Sequence, residues 1–233
     1  MILFCLDTSG PVAGVAIIQD GAVRYEAMAV NKFTHSQSIL PMTEEAFRHT
    51  GLEVGQTDFF AVTIGPGSFT GVRIGVSTVK GLAHAAGKPC VPVDALEAMA
   101  AGLTPFHGVI CPIQDARAGQ VYGAAFRNGE RLLSDAPMKL EEYLDAISGL
   151  GNRFLFTGDG APVFRERIAE ILGDRAAFAP AYRGYLRPSA AGSIAIRRGE
   201  TIDYLHLEAS YLRPPNAQKN KKLLEAMRKN EEA

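Results

Sequence analysis

The feature that most constrains the fold is an approximate repeat between the two halves of the chain. A short apolar segment ends at Asp7, and the dipeptide Asp20-Gly21 follows it. In the second half, a similar apolar segment ends at Asp115, and an Asn-Gly dipeptide follows after the same interval. Asp-Gly and Asn-Gly favour the type I′ turns of two-residue β-hairpins. The spacing therefore predicts two units that each begin with a strand and a hairpin.

A second correspondence follows further along each half. The apolar segment 58–65 leads through a Gly-Pro-Gly turn into a helical pattern over 68–87. In the second half, RFLFT leads into Gly158, Asp159 and Gly160, and then into a helical pattern over 161–172. Both correspondences together favour a duplicated α/β fold of two lobes with a cleft between them, and such clefts often bind a nucleotide.

Composition and charge narrow the functional class. The chain has 233 residues, 47% of them hydrophobic, and a net charge of −1, so it lacks the basic excess of a protein that grips nucleic acid unaided. No apolar run reaches the length of a membrane span, and the N-terminus lacks the features of an export signal, which predicts a cytoplasmic protein without a membrane partner. The three cysteines have no paired spacing and are expected to be buried, reduced thiols.

The tail after residue 216 is the one locally basic segment, with Lys219, Lys221, Lys222, Arg228 and Lys229. A solvated terminal helix is the favoured interpretation, and direct contact with RNA is the alternative.

The segment GPGSFTGVRIG at 65–75 suggests a phosphate-binding loop, but it matches neither common motif. No lysine stands where a Walker loop requires one, and Thr70 takes the place of the third glycine of a dinucleotide fingerprint. What remains is a helix start that Ser68 or Thr70 can cap.

The helix that follows has an unusually wide apolar arc. Its polar stripe is narrow and consists of Arg73, Ser77, Lys80 and His84. Two stripes of apolar or small residues lie beside it: Phe69, Val72, Val76, Val79 and Ala83 in one, and Gly71, Gly75, Thr78 and Leu82 in the other. A helix on its own sheet needs an arc of only about 100°. The second stripe is therefore expected to be covered, either by the neighbouring helix at 34–51 or by another protein chain.

Five segments together resemble the TsaB family, also called YeaZ, of tRNA threonylcarbamoyladenosine biosynthesis. They are LDTS at 6–9, HSQSILPM at 35–42, GPGSFTGVRIG at 65–75, DARAGQVY at 115–122 and YLRPPNA at 211–217. The resemblance implies a duplicated actin-like, Hsp70-like and sugar-kinase-like (ASKHA) fold with a reduced second lobe. It places the N-terminal lobe at 1–103, the C-terminal lobe at 104–216 and a charged tail at 217–233.

The resemblance also implies a partner. TsaB-like proteins are inactive paralogues that dimerise with the catalytic subunit TsaD and act with the ATPase TsaE, while a homodimer is the alternative for the isolated chain. In the family, the threonylcarbamoyl group comes from threonylcarbamoyl-adenylate, made by TsaC or its relative, and goes to the adenosine beside the anticodon of tRNAs that read codons starting with A. Contact with tRNA is then indirect, through the complex. The expected partner face comprises His35, Ser36, Ile39, Leu40, Phe69, Gly71, Val72, Arg73, Gly75, Val76 and Leu82.

The remaining site residues are expected to form a vestigial nucleotide cleft: Asp7, Thr8, Ser9, Asp115, Gly158, Asp159 and Gly160. No two of the five histidines stand four residues apart, so the His-x-x-x-His metal pair of a TsaD-like catalyst is missing from the sequence. No catalytic residue, metal or cofactor is therefore expected. The competing hypothesis is an autonomous ATP-dependent phosphotransferase that uses Asp7 as base or metal anchor.

Overall fold

The computed structural model describes residues 1–31 and 33–212 of the chain. The predicted tail at 217–233 lies outside the described residues. The first half contains, in chain order, strands β1 (Ile2–Asp7), β2 (Ala13–Gln19) and β3 (Ala22–Ala29), helix α1 (His35–Thr50), strand β4 (Phe59–Thr63), helix α2 (Phe69–Ala86), strand β5 (Cys90–Val93) and helix α3 (Ala95–Ala101).

The second half repeats this order of strands. It contains strands β6 (Val109–Asp115), β7 (Gln120–Arg127) and β8 (Glu130–Lys139), helix α4 (Leu140–Ser148), strand β9 (Phe154–Thr157), helices α5 (Gly160–Val163) and α6 (Arg165–Leu172), strand β10 (Ala176–Phe178) and helix α7 (Pro188–Arg198). The first sheet has the order β3-β2-β1-β4-β5, and the second has the equivalent order β8-β7-β6-β9-β10. In both sheets the first three strands are antiparallel and the last two join in parallel. The predicted duplication is confirmed.

The two hairpin turns have the backbone that their residues predict. Asp20 and Gly21 have φ of 52° and 80°, and Asn128 and Gly129 have φ of 53° and 84°. Positive φ at both central positions defines the type I′ turn, whose twist matches that of the flanking strands.

Helices pack in layers around the two sheets. Helices α1 and α2 cover the outer face of the first sheet, and α4 and α6 pack on the outer side of the second. Helices α3 and α7 lie between the sheets, in a core that reaches from Leu3 and Val91 of the first sheet to Ile110 and Phe126 of the second. This central layer joins the two lobes.

The chain after α7 returns to the first lobe. Ile202 pairs with Cys90 at the edge of β5, Leu207 is buried at 1% exposure, and the Ser210 amide donates to Ile64 O at 2.7 Å. We call residues 202–211 the C-terminal strap. The domain boundaries at 103 and 216 stay a prediction.

Helix α1 is continuous from His35 to Thr50, with Pro41 inside it. One detail of the predicted helices is wrong. The helix expected over 161–172 is split at Phe164 into α5 and α6. The cysteines Cys5, Cys90 and Cys111 are free and buried, as predicted. Among the described residues, no helix is long and apolar enough to cross a membrane.

Candidate functional site: the interlobe cleft and the two-helix face

The first strand ends in a buried carboxylate. Asp7 is 1% exposed, and its Oδ1 accepts hydrogen bonds from the Ser9 amide at 3.0 Å, from Ser9 Oγ at 2.7 Å and from Thr63 Oγ1. Thr63 ends β4, which runs parallel to β1, so both residues lie at the same edge of the sheet. Burial raises the pKa of Asp7, and the hydrogen bonds from Thr63 and Ser9 offset part of that rise. The carboxylate therefore fixes its own loop and faces protein groups.

That loop, residues 8–10, is tied to both outer helices. Thr8 Oγ1 donates to Gly71 O at 2.8 Å, and the amide of Ser68, which caps α2, donates to Ser9 O at 2.7 Å. His35 Nε2 at the start of α1 lies 2.9 Å from Gly10 O and donates to it in the tautomer that carries the Nε2 proton. The loop thus connects the sheet edge to the first turns of α1 and α2.

The glycines of the 65–75 segment let α2 approach this loop. A Cβ at Gly67 would lie 2.1 Å from Ser9 O, and a Cβ at Gly71 would lie 2.1 Å from Thr8 O. A Cβ at Gly75 would lie 2.5 Å from Thr8 Oγ1. These distances are far below van der Waals contact, so only glycine allows the helix to lie this close. The segment serves an internal contact.

This packing corrects part of the expected partner face. Five of its residues are buried inside the fold: Ile39, Gly71, Val72, Gly75 and Val76. Most of both predicted stripes of α2 faces inward: Val72, Val76, Val79, Ala83 and Leu82 pack in the core of the first lobe, and Gly71 and Gly75 face Thr8. The close approach through the glycines buries a wider arc than a helix at ordinary distance, and Thr78 of the second stripe stays partly exposed. Of the others, Ser36, Leu40 and Arg73 are exposed, and His35, Phe69 and Leu82 are partly exposed.

Three of the four residues of the polar stripe of α2 contact the C-terminal strap. Arg73 Nε donates to Tyr211 Oη at 2.9 Å. Two further contacts involve the short turn Tyr204–His206. Lys80 Nζ donates to Leu205 O at 3.3 Å, and His84 Nδ1 lies 2.8 Å from Tyr204 Oη. The charged side chains of α2 therefore already have hydrogen-bond partners within the chain.

The outward side of α2 that remains carries no charge. We call it the uncharged strip. Its residues are exposed or partly exposed: Thr70, Ile74, Ser77, Thr78, Gly81 and Ala85. On α1, Leu40 is 57% exposed. We call α1 and α2 with these outward residues the two-helix face.

The counterpart aspartate of the second lobe shapes a turn. Asp115 Oδ1 accepts from the Arg117 amide at 2.8 Å, and Asp115 Oδ2 lies 3.6 Å from Arg117 Nη1. Arg117 and Ala118 have φ of 66° and 52°, so the chain reverses tightly into β7.

The glycine turn of the second lobe lies against β6. A Cβ at Gly158 would lie 2.1 Å from Ile113 O, and a Cβ at Gly160 would lie 3.2 Å from the Asp115 amide nitrogen. Asp159, between the glycines, has its pKa raised by burial, and the charge of Asp115 adds to the rise. The second-lobe residues predicted for the cleft are thus neighbours.

The sequence analysis missed two residues: Gln114 in the cleft, and Thr63, whose hydroxyl donates a hydrogen bond to Asp7. Gln114 is buried, its amide atoms have no hydrogen-bond partner among the described residues, and a Cβ at Gly10 would lie 3.8 Å from its Nε2. This contact joins the second-lobe residues to the 8–10 loop. No sequence signal marks Gln114, whereas the position of Thr63 at the end of a strand parallel to β1 could have been used.

The residues present do not fit the Mg²⁺-nucleotide that the implied fold class commonly binds. Asp7 Oδ1 already accepts three hydrogen bonds, and Asp159 sets a carboxylate beside Asp115, where like charge disfavours a phosphate. Among the described residues, no group of three or more histidine, cysteine or acidic side chains could hold a metal ion.

Comparisons with known proteins find relatives that are named for threonylcarbamoyl transfer to tRNA or for threonylcarbamoyladenosine biosynthesis. A family model described as TsaD, tRNA N6-adenosine threonylcarbamoyltransferase, matches residues 30–191. The tRNA threonylcarbamoyladenosine biosynthesis protein TsaB of Bacillus subtilis is 31% identical over 94% of this chain and 96% of its own length. The chain belongs to the TsaB family. The family expected from the five sequence segments is therefore confirmed.

Solved structures support the same assignment and the fold. YeaZ from Pseudomonas aeruginosa is 28% identical to this TsaB-family chain, with a TM-score of 0.73 over 91% of this chain and 99% of the YeaZ chain. Component A of the (R)-2-hydroxyglutaryl-CoA dehydratase from Acidaminococcus fermentans is 13% identical, with a TM-score of 0.51 over 85% of this chain and 98% of its own, and shows the fold alone. The duplicated ASKHA fold is confirmed, and the TsaB family places the chain in tRNA threonylcarbamoyladenosine biosynthesis.

Proposed function

We propose that this TsaB-family chain is a non-catalytic subunit that pairs with TsaD, and acts with TsaE, in threonylcarbamoyl transfer to tRNA. The observation that carries the proposal is the uncharged strip of α2. An outward helix surface normally bears charged side chains, whereas the charged residues of this helix are held by the C-terminal strap. Small uncharged residues on the outside of a helix suit close packing against another helix.

The exposed leucine on α1 strengthens this argument. Leu40 leaves 57% of its surface in solvent on a helix that packs beside α2. Its burial by a partner would contribute about 1 kcal/mol or more, since a fully buried leucine gains roughly 1.5–3 kcal/mol. The TsaD-family match over 30–191 indicates that TsaD has a related fold, so an equivalent pair of helices is the natural partner surface.

The hydrogen bonds that Asp7 accepts inside the fold support a non-catalytic role over an ATP-dependent phosphotransferase. A general base or metal anchor needs a carboxylate oxygen that can reach a substrate. The Asp7 oxygen that the structure places at the sheet edge accepts three hydrogen bonds from the chain itself. Micromolar binding of Mg-ATP to the isolated chain, measured by calorimetry, would favour the phosphotransferase hypothesis over a non-catalytic role.

The experiment for the pairing uses glycines that face open space. At Gly81, on the uncharged strip, an added Cβ meets nothing within 4 Å, and the same holds at Gly149 in the second lobe. We expect Gly81→Glu to abolish co-elution with TsaD in size-exclusion chromatography, because it buries an unpaired charge at the interface. Gly149→Glu is the matched control and should co-elute like the unmodified chain. Gly75→Arg is unsuitable, since Gly75 is packed against Thr8.

The same experiment addresses the isolated chain. If a homodimer forms through the two-helix face, Gly81→Glu should also convert it to a monomer while Gly149→Glu leaves it unchanged. Unaltered co-elution of Gly81→Glu with TsaD would refute the proposed face. A cytoplasmic location is part of this proposal, since its partners act on tRNA.

A further inference from the structure

The second lobe has a run of sequence that is rich in arginine and free of acidic residues. Between Asp174 and Glu200 lie Arg175, Arg183, Arg187, Arg197 and Arg198, with no aspartate or glutamate among them. The last three form ion pairs with glutamates of the first half: Arg187 with Glu26, and Arg197 and Arg198 with the one carboxylate of Glu97. Arg175 and Arg183 have no ion pair within the described residues, and neither has Arg153.

These three arginines lie at the two ends of β9 and β10, the edge strand of the second sheet and its neighbour. Arg153 and Arg175 directly precede Phe154 and Ala176, which are register partners in the parallel pair of β9 and β10. Arg175 Nη2 donates to the carbonyl of the last residue of α4 at 2.5 Å and to a carbonyl in the loop after it at 2.9 Å, and its guanidinium lies 4.9 Å from the ring centroid of Phe154. The guanidinium of Arg153 lies 5.9 Å from the ring centroid of Phe106. Arg175 is therefore held on the α4 side of the sheet, whereas Arg153 lies on the α3 side.

The other end of the same strands carries Arg183 and an exposed aromatic ring. Arg183 Nη2 donates to Gly102 O at 2.6 Å, and its backbone carbonyl accepts from Thr157 Oγ1 at the end of β9. The neighbouring Tyr182 is 80% exposed. The four residues of β9 separate the two ends by about 13 Å. Between them lies the partly exposed side chain of Leu155.

Anchoring of backbone carbonyls accounts for part of this arrangement. Arg175 and Arg183 hold the loops that they contact, yet a neutral carbonyl leaves the positive charge uncompensated. A guanidinium has five N–H donors, and Arg183 uses one of them on Gly102. The positive charge of Arg183 and its unused N–H donors therefore remain available to bind an anion, although the chain as a whole has a net charge of −1.

We propose that the exposed residues Arg153, Arg183 and Tyr182 form a surface that contacts tRNA directly. The arginines bind backbone phosphates, which guanidinium groups recognise by charge-assisted hydrogen bonds. The ring of Tyr182 stacks on an unpaired base. The inference rests on the proposed function, and it replaces the indirect contact with tRNA that the family resemblance implies. We call this set the arginine edge.

The test measures tRNA affinity of the assembled complex of this chain with TsaD. The variant Arg153→Gln/Arg183→Gln removes two charges and keeps a donor for Gly102 O. Arg24→Gln is the matched control, because Arg24 is exposed in the first lobe, lacks an ion pair among the described residues and bonds only Gln19 at 2.6 Å. Affinity for unmodified substrate tRNA is measured at two salt concentrations, together with co-elution with TsaD and the unfolding midpoint.

We expect the double variant to bind tRNA about tenfold more weakly at low salt, and the slope of log K against log[salt] to shrink by roughly 1.5. Tyr182→Ser should weaken binding about fivefold or more at both salt concentrations, since stacking is not a charge effect. Co-elution with TsaD and the unfolding midpoint should not change, and Arg24→Gln should behave like the unmodified complex.

Two results would overturn the inference. One is tRNA affinity of the double variant within twofold of the unmodified complex, and the other is loss of co-elution with TsaD, which would make the arginine edge a protein interface. If the unmodified chain does not co-elute with TsaD, the proposed function fails separately. The same variants of the chain alone, titrated with tRNA, then decide the inference.

Discussion

At the scale of single residues, Asp7 shows how a residue in a catalytic position can have a structural role. Its Oδ1 binds the Ser9 amide and hydroxyl and the Thr63 hydroxyl, so the carboxylate organises the 8–10 loop. Thr8 and Ser9, which suit a phosphate-binding turn in the sequence, are buried beneath α2. The chemistry of the side chains is unchanged, and their partners decide what they do.

The raised pKa of Asp7 predicts a specific pH dependence of stability. Burial lifts the pKa above its ordinary value of 3.8, so the folded chain keeps a proton that the unfolded chain releases in the window just above pH 3.8. The contribution of Asp7 to stability therefore falls as pH rises through that window, by up to about 1.4 kcal/mol per pH unit. Asp7→Asn cannot titrate and lacks this contribution.

Urea unfolding at a series of pH values measures the difference between the unmodified chain and Asp7→Asn. The unfolding free energy of Asp7→Asn relative to that of the unmodified chain should increase as pH rises from about 4 and then level off. A difference that does not depend on pH, or that changes in favour of the unmodified chain, would contradict a raised pKa.

At the scale of elements, α2 is the helix on which the account depends. Its glycines bring it against the 8–10 loop, and the C-terminal strap takes its charged side chains. What faces outward is then the uncharged strip. A single helix thus joins the internal packing of the first lobe to the surface proposed for TsaD.

Two glycines of this helix should respond in opposite ways to alanine. Gly71→Ala places a Cβ 2.1 Å from Thr8 O, and we expect a loss of about 2 kcal/mol or more because the helix or the loop must shift. Gly81→Ala meets nothing within 4 Å and should stabilise the fold by ~0.5–1 kcal/mol through helix propensity. Chemical unfolding of both variants checks this. Equal effects would show that the close approach at Gly71 is not required.

The strap offers another matched pair. Leu207 is 1% exposed and packs in the core beneath α2, whereas Leu205 in the preceding turn is 66% exposed. Leu207→Ala should cost ~2–5 kcal/mol of unfolding free energy, and Leu205→Ala should change it by less than about 0.5 kcal/mol. Thermal and urea unfolding distinguish them. A neutral Leu207→Ala would mean that the strap is dispensable for the first lobe.

Local features of these elements could be predicted from the sequence, because each depends on residues close together. The Asp20-Gly21 hairpin, the Ser68 cap and the helix end at Gly87 follow from short-range backbone preferences. Periodicity correctly identified the apolar stripes of α2. It could not say what covers them, because the covering groups on β1, β4 and the 8–10 loop are brought there by the tertiary fold. The assignment of Gly71 and Gly75 to a partner failed for that reason.

At the scale of the whole molecule, the two lobes share one architecture and are proposed to have different roles. The first lobe presents the two-helix face proposed for TsaD, while the second lobe presents the arginine edge proposed for tRNA. The central layer of α3 and α7 packs on both sheets and holds the two surfaces in a fixed relation. On this account, the chain positions a partner and a substrate and leaves the transfer chemistry to TsaD.

The most direct measurement is the rate of threonylcarbamoyl transfer in a reconstituted mixture of TsaD, TsaE, substrate tRNA, threonylcarbamoyl-adenylate and this chain. The account predicts that omission of the chain, or its replacement by Gly81→Glu, reduces the rate to background. Asp7→Asn, assayed below its unfolding temperature, should support a rate within about twofold of the unmodified chain, since Asp7 touches no reacting group. Loss of transfer with Asp7→Asn while it still co-elutes with TsaD, or full transfer with Gly81→Glu, would contradict the account.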